Sequence, residues 1–300
     1  MAKAKYKYLQ PETVAKFKNI SLVARAVVEG FVTGLHRSPF RGFSVEFSEH
    51  RNYVPGDNIK YLDWTALART DRYYIKQYED ETNLRAYILL DCSASMTYPV
   101  ESDGGMSKLA YGSYMAASLA YLMVRQRDSV GLVTFDDKVR ARIPPHSTMT
   151  HLHEILKCLE RTQPGELTNV AKTFHLLAES IKRRGLVVII SDLYDEPDEV
   201  LKALKHFRHK RHEVILFHLF HPTELDFPFD RLTDFVDLET SERVQADPSY
   251  VRRSYLDAVK GLTDKYKREC GAGRIDYVVT RTNIPFDFVL SSYLAKRKRV

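Results

Sequence analysis

From Leu84 onward the sequence alternates short apolar runs with amphipathic stretches, and this rhythm limits the fold more than any other feature. The runs Ala86 to Leu90, Val130 to Phe135, Leu186 to Ile190, Val214 to Leu219 and Ile275 to Val279 are nearly continuous and rich in β-branched or aromatic residues. Such runs are expected of parallel strands covered on both faces. Between them lie predicted helices over Lys108 to Gln126, His151 to Glu160, Val170 to Arg183, Asp198 to Phe207 and Tyr250 to Glu269. Ala110, Ala116, Ala117 and Ala120 let the first of these approach a sheet closely. Lys138 to Ile143 reads as a hairpin return that adds an antiparallel edge strand. The expected fold class is therefore α/β, a doubly wound, mostly parallel sheet of the Rossmann type.

Residues 1–80 have a different texture and are expected to form an N-terminal accessory block ahead of an α/β domain over 81–300. Leu22, Val23, Ala26, Val27 and Val28 make one apolar-periodic patch, followed by an Arg-, Gly- and aromatic-rich stretch without a sustained period. Gly56 and Asp57 predict a turn into a short helix holding Asp63 and Trp64, and Arg72 to Tyr78 is strand-like. No run of apolar residues is long enough to cross a bilayer, and the start MAKAKYKYLQPETVAKFKN has no apolar stretch behind its lysines. A cytoplasmic protein with no membrane partner is expected. Cys92, Cys158 and Cys270 have no paired spacing, so they are expected to be reduced thiols. The 45 basic and 39 acidic residues leave a net charge of +6, too dilute to decide between nucleic acid and an acidic protein as partner.

In a doubly wound sheet, ligands bind beyond the carboxyl ends of the strands. Two of those positions are aspartates: Asp91 after the run 86–90, and Asp192, with Ser191 before it, after the run 186–190. Asp91 opens Asp91-Cys92-Ser93-Ala94-Ser95, which sets two hydroxyls at alternate positions in the loop. Such an all-oxygen cradle suits Mg²⁺, which demands near-octahedral oxygen ligands and keeps several waters. Thr168, at the start of the Val170 helix, supplies a further hydroxyl or acts as a simple helix cap. A plain strand-end turn explains Asp-x-Ser-x-Ser taken alone. The conjunction of two strand-terminal aspartates with an intervening threonine favours the metal.

In that order and context, Asp91, Ser93, Ser95, Thr168 and Asp192 resemble the metal-ion-dependent adhesion site of the von Willebrand factor A domain. The resemblance implies that Ser93, Ser95 and Thr168 approach a cation through their hydroxyls, while Asp91 and Asp192 anchor waters and those hydroxyls. It leaves one coordination position for an Asp or Glu of a partner protein. Mg²⁺ is the expected ion, with Mn²⁺ or Ca²⁺ as alternatives. Upstream, Arg37-Ser38, Arg41-Gly42, Ser44, Glu46-Phe47, Arg51, Tyr53, Gly56-Asp57, Asp63-Trp64 and Ala68-Arg69 resemble the signature of the bacterial "domain of unknown function 58" family. Together the two resemblances span about residues 35–200. They imply a non-enzymatic, Mg²⁺-dependent interaction module acting with a MoxR-type AAA+ ATPase, or with its client, in chaperone-like assembly or stress response.

Other candidates weigh less. Arg41, Arg51, Arg69 and Arg72 interleaved with Glu46, Asp57 and Asp63 are read as an ion-pair network that docks the N-terminal block, with Phe47, Tyr53 and Trp64 as apolar anchors. Cys92 is read as a buried thiol, and His151 and His153 as surface residues at a helix start. His206, His209 and His212 are read as part of a solvated basic face. The tail Ala295 to Val300 is read as solvated. A metal-dependent hydrolase using Asp91 and Asp192 is the alternative function, but Ser93 stands where an acid/base carboxylate is wanted. Nucleic-acid binding is not expected, since basic and acidic residues mostly alternate.

Overall fold

The computed structural model describes residues 19–35, 50–52, 67, 69, 73–76, 84–99, 106–165, 169–286 and 291. The chain divides into two compact units, one holding residues 1–34 and 84–300 and the other residues 35–83. In the smaller unit, strand β1 (His50–Asn52) pairs antiparallel with β2 (Tyr74–Lys76). Most of the expected ion-pair network, and the helix expected around Asp63 and Trp64, lie outside the described residues. In the larger unit, helix α1 (Ile20–Leu35) buries Val23, Val27 and Val28 of the apolar patch read from the sequence, whereas Leu22 of that patch is exposed.

The larger unit is built on six strands: β3 (Arg85–Asp91), β4 (Ser129–Phe135), β5 (Val139–His146), β6 (Leu186–Ser191), β7 (Glu213–Phe220) and β10 (Asp276–Arg281). Their spatial order is β10-β7-β6-β3-β4-β5, all parallel except the antiparallel edge strand β5. Helix α2 (Lys108–Arg125), backed by α3 (Met149–Arg161), covers one face. The opposite face carries α4 (Val170–Ser180), α5 (Pro197–His209) and α7 (Pro248–Ala272). The mostly parallel α/β class is thus as expected.

Burial explains the composition of the strands. Six successive residues of β3, of β4 and of β6 are buried, because helices exclude water from both faces. On one side Phe135, Phe174 and Phe207 meet edge to face, with ring centroids 5.4 and 6.0 Å apart. On the other, α2 rides low on the sheet: a Cβ at Gly112 would stand 3.0 Å from Leu90 Cδ1 and 3.2 Å from Ile190 Cγ2. The buried Ala116, Ala117 and Ala120 on the same helix serve the same close approach.

The structure corrects two readings of histidines. His151 is only 5% exposed, with its ring Nε2 2.7 Å from the Val130 carbonyl, because it shares an α3 face with the buried Ile155 and Leu159. His212 is likewise buried, with Nε2 3.1 Å from the Ile181 carbonyl, whereas His153 and His209 are exposed. Three elements between β7 and α7 escaped the periodicity: helix α6 (Pro222–Asp226) and the hairpin of β8 (Thr233–Val236) with β9 (Arg243–Ala246). Each is too short, and too exposed, to carry a clear period. Among the described residues, no helix is long and apolar enough to cross a membrane.

Strand β5 carries Pro144 and Pro145, which an edge strand tolerates because it has no outer partner. Its close seat on β4 requires Gly131: a Cβ there would lie 2.7 Å from the Ile143 carbonyl oxygen and 3.0 Å from Pro145 N. Gly131→Ala is therefore expected to push the edge strand outward and cost about 1–3 kcal/mol of stability. Urea unfolding measures this, and an unchanged midpoint would show that β5 shifts freely.

Candidate metal site

The connection from β3 through α2 to β4 runs to one side of the sheet, and the connection from β6 through α5 to β7 runs to the other. The crevice between β3 and β6 is thus the topological switch point, where open α/β sheets bind ligands. Leu90 pairs with Ile190 in the last register position of these two strands. The residues that follow, Asp91 and Ser191 with Asp192, are consequently held side by side.

Local turn chemistry then sets the donors. Ser93 N donates to Asp91 Oδ1 at 2.9 Å, which closes the turn, and Cys92 N donates to the Phe135 carbonyl at 2.8 Å, which pins the loop to β4. Ser93 precedes a 3₁₀ turn over Ala94–Thr97 but makes no side-chain cap bond. Its hydroxyl lies instead 3.1 Å from Ser95 Oγ, and Ser95 Oγ donates to Asp192 Oδ1 at 3.2 Å. Ser191 Oγ donates to Asp91 Oδ2 at 2.5 Å and accepts from Leu193 N at 2.9 Å. Leu193 has φ 53°, a left-handed conformation that costs about 1–2 kcal/mol for a residue with a Cβ. The Ser191 bond and the burial of the Leu193 side chain hold that turn and so aim Asp192.

Of the five residues singled out in the sequence, Asp91, Ser93, Ser95 and Asp192 converge here. Thr168 lies outside the described residues, and α4 is capped by Asn169, whose side chain accepts from Lys172 N. Asp91 and Ser93 are fully buried, and Ser95 and Asp192 nearly so. The site is therefore set into the sheet and not on an exposed rim.

Three residues that the sequence reading left out complete the arrangement. Lys108, the first residue of α2, places Nζ 2.7 Å from Asp192 Oδ2 and 2.8 Å from Glu224 Oε1. Glu224 is anchored in turn by His221 N, which donates to its Oε2 at 2.5 Å in the cap of α6. A signal for Lys108 was present: a cation in the first turn of a helix opposes the macrodipole, so it needs anionic partners elsewhere. Behind the site, His218 Nε2 is 2.9 Å from the Asp192 carbonyl and Nδ1 is 2.8 Å from Tyr277 Oη. A carbonyl only accepts, so Nε2 carries the proton and the tyrosine donates to Nδ1. Burial lowers the His218 pKa to about 4 and keeps this bridge neutral.

Charge in the site is unbalanced. Burial, and after it the charge of Asp192, push the Asp91 carboxyl up to about 7, against the hydrogen bonds from Ser191 and Ser93. Burial pulls the Lys108 ammonium down, but the carboxylates of Asp192 and Glu224 outweigh it and hold its pKa above the usual lysine value. Asp91, Asp192 and Glu224 set three carboxyl groups against one ammonium, so the site carries two formal negative charges once Asp91 has lost its proton, the complement of a divalent cation. The donors are hydroxyl and carboxylate oxygens, a hard set that fits Mg²⁺ better than a thiophilic metal. Among the described residues no group of three or more His, Cys, Asp or Glu side chains is disposed to hold a metal. A cation here would draw on Ser93 and Ser95, with Asp91 and Asp192 fixing its waters.

Beside the site opens a cleft of about 970 Å³, bordered by Ser95, Tyr98, Lys108 and Glu224 and walled by Phe227, Phe235 and Tyr255. The Phe227 ring stacks on Phe235 at 5.7 Å and meets Tyr255 at 4.7 Å. Cys92, by contrast, points away from reactivity: it is fully buried, donates to the Phe135 carbonyl, and burial pushes its thiol up to about 12.

Residues 49–263 match the family described as "Protein of unknown function DUF58". The chain belongs to that family. Among curated proteins, it is 26% identical over 276 residues to the uncharacterized protein Rv1480 of Mycobacterium tuberculosis, covering 91% of this chain and 81% of the other. The uncharacterized protein Mb1516 of Mycobacterium bovis matches to the same extent. Among solved structures, the conserved hypothetical protein BatB of Bacteroides thetaiotaomicron is 16% identical, with a TM-score of 0.49 over 72% of this chain and 100% of that one. The SpRpn10 VWA domain is 9% identical, with a TM-score of 0.36 over 70% of this chain and 94% of that one.

The Asp91 shift sets a pH dependence. Between about pH 4 and 7 the folded chain retains a proton that the unfolded chain has lost, so this carboxyl's contribution to stability falls as pH rises through that window. With chelator present, Asp91→Asn is expected to flatten that part of the stability profile. Denaturant unfolding at pH 4.5 and 7.5, values chosen to bracket the window on the order of the two pKa values, measures it; equal slopes in both proteins would remove the charge conflict from the site.

Proposed function

We propose that this DUF58 protein is a non-enzymatic interaction module of the von Willebrand A kind, in which a bound divalent cation receives an Asp or Glu of a protein partner. The observation that carries this reading is the convergence of Ser93, Ser95, Asp91 and Asp192 at the switch-point crevice, with two negative charges uncompensated once Asp91 ionises. With hydroxyls and waters around it and few carboxylate oxygens in direct contact, Mg²⁺ keeps affinity for a further anionic ligand. The aromatic cleft beside it gives the residues flanking that carboxylate an apolar wall, the combination of buried anchor and polar centre typical of binding hot spots. The diffuse net charge of +6 assists encounter with an acidic partner. A MoxR-type AAA+ ATPase, or its client, is the partner that the family resemblance implies. We place this activity in the cytoplasm, a reading supported by three cysteines outside any disulfide.

Lys108 gives the hydrolase alternative one specific support, because an ammonium beside two aspartates is a common phosphoryl-binding element. Its Nζ is committed to Asp192 and Glu224, however, and the hydroxyl of Ser93 offers no general acid at neutral pH. Turnover of any phosphoester with Mg²⁺ or Mn²⁺, lost in Asp91→Asn, would overturn the binding reading.

For the metal itself, Ser95→Ala and Asp91→Asn are expected to weaken Mg²⁺ binding by at least about tenfold while leaving the circular dichroism spectrum unchanged. Calorimetric titration reads this out, and unchanged affinity in both variants sinks the assignment. A pull-down performed with and without chelator is expected to lose the partner when the metal is removed.

A further inference from the structure

We infer that Lys108 and the divalent cation compete for Asp192, with Glu224 as the second seat of the lysine. The inference rests on the metal reading above and concerns what regulates that site. In the structure the two oxygens of Asp192 are divided: Oδ1 accepts from Ser95, the hydroxyl proposed to hold the cation, and Oδ2 accepts from the Lys108 ammonium. An ammonium and a dication on one carboxylate repel each other, and with the Lys108 and Asp192 side chains both buried the repulsion is weakly screened. Loading the cation therefore drives the ammonium off Asp192.

The lysine has somewhere to go. Glu224 Oε1 already receives its second hydrogen bond at 2.8 Å, and Glu224 stays in place because its other oxygen is held by His221 N. The Tyr98 ring lies 5.9 Å from Nζ, so the displaced charge also remains near an aromatic face. The long, flexible lysine stem permits the move without unwinding α2. Lys108 thus acts as a tethered counter-charge: it neutralises Asp192 when no cation is bound, and it raises the cation concentration needed to fill the site. Because Lys108 and Glu224 both border the aromatic cleft, filling the metal site shifts a charge at the place where a partner would dock.

A double-mutant cycle read by calorimetric Mg²⁺ titration tests this on the intact chain. If the ammonium holds Asp192 in about nine-tenths of the cation-free molecules, Lys108→Met is expected to tighten Mg²⁺ binding roughly tenfold. Glu224→Gln removes the second seat, so it is expected to weaken binding several-fold when Lys108 is present and to change it little in the Lys108→Met background. Lys108→Gln, which keeps a donor for Asp192 without the charge, replaces Lys108→Met if that variant does not fold. Additive effects of the two substitutions, or no tightening on losing the lysine, overturn the competition while leaving the metal site standing. Absence of Mg²⁺ binding in all the proteins overturns both.

Discussion

Everything at this site follows from the parallel pairing of β3 with β6. That pairing sets Leu90 opposite Ile190, and so brings two strand-terminal aspartates together in a crevice that helices close on both sides. Burial, and after it the charge of Asp192, raise Asp91 to about 7, so the two carboxylates do not both ionise cheaply without a cation. The fold supplies part of the answer from within, as the Lys108 ammonium, and leaves two negative charges once Asp91 ionises. The divalent ion proposed for the site would answer that remainder.

The hydrogen bonds around the crevice keep the conflict from relaxing. Asp91 is tied by Ser93 N and Ser191 Oγ, Asp192 by Ser95 and Lys108, and the Asp192 backbone by His218. These partners come from four segments, the loop after β3, the end of β6, the start of α2 and β7, so a rotation that would separate the carboxylates has to break several bonds at once. The left-handed turn at Leu193 is a further sign that the backbone is held by its surroundings and not by local preference. A site held in this way needs little rearrangement of its oxygen donors to receive an ion, and only the Lys108 ammonium has to move.

How much of this was legible in the chain differs from element to element. The strands and most helices of the larger unit were readable because burial on both faces writes continuous apolar runs and long amphipathic stretches. The loop Asp91 to Ser95 was readable for a related reason: its residue types are specific to turn and oxygen-ligand chemistry. His151 and His212 were misread as surface groups, since a polar residue on an apolar helix face, or beside a carbonyl that needs a donor, looks no different in sequence from a solvated one. The hairpin of β8 and β9 went unseen because four-residue strands with mostly exposed side chains carry no usable period.

By itself the sequence determined the α/β class, the strand-terminal positions of Asp91 and Asp192, and the hydroxyls that follow the first of them. These are local properties, set by periodicity and turn preference. Only the tertiary structure decided that β3 and β6 are neighbours, that Lys108 reaches Asp192 and Glu224 across 84 and 116 residues of sequence, and that an aromatic cleft opens beside them. Strand order and long-range ion pairs come from the packing of the whole sheet, which no short window of residues encodes.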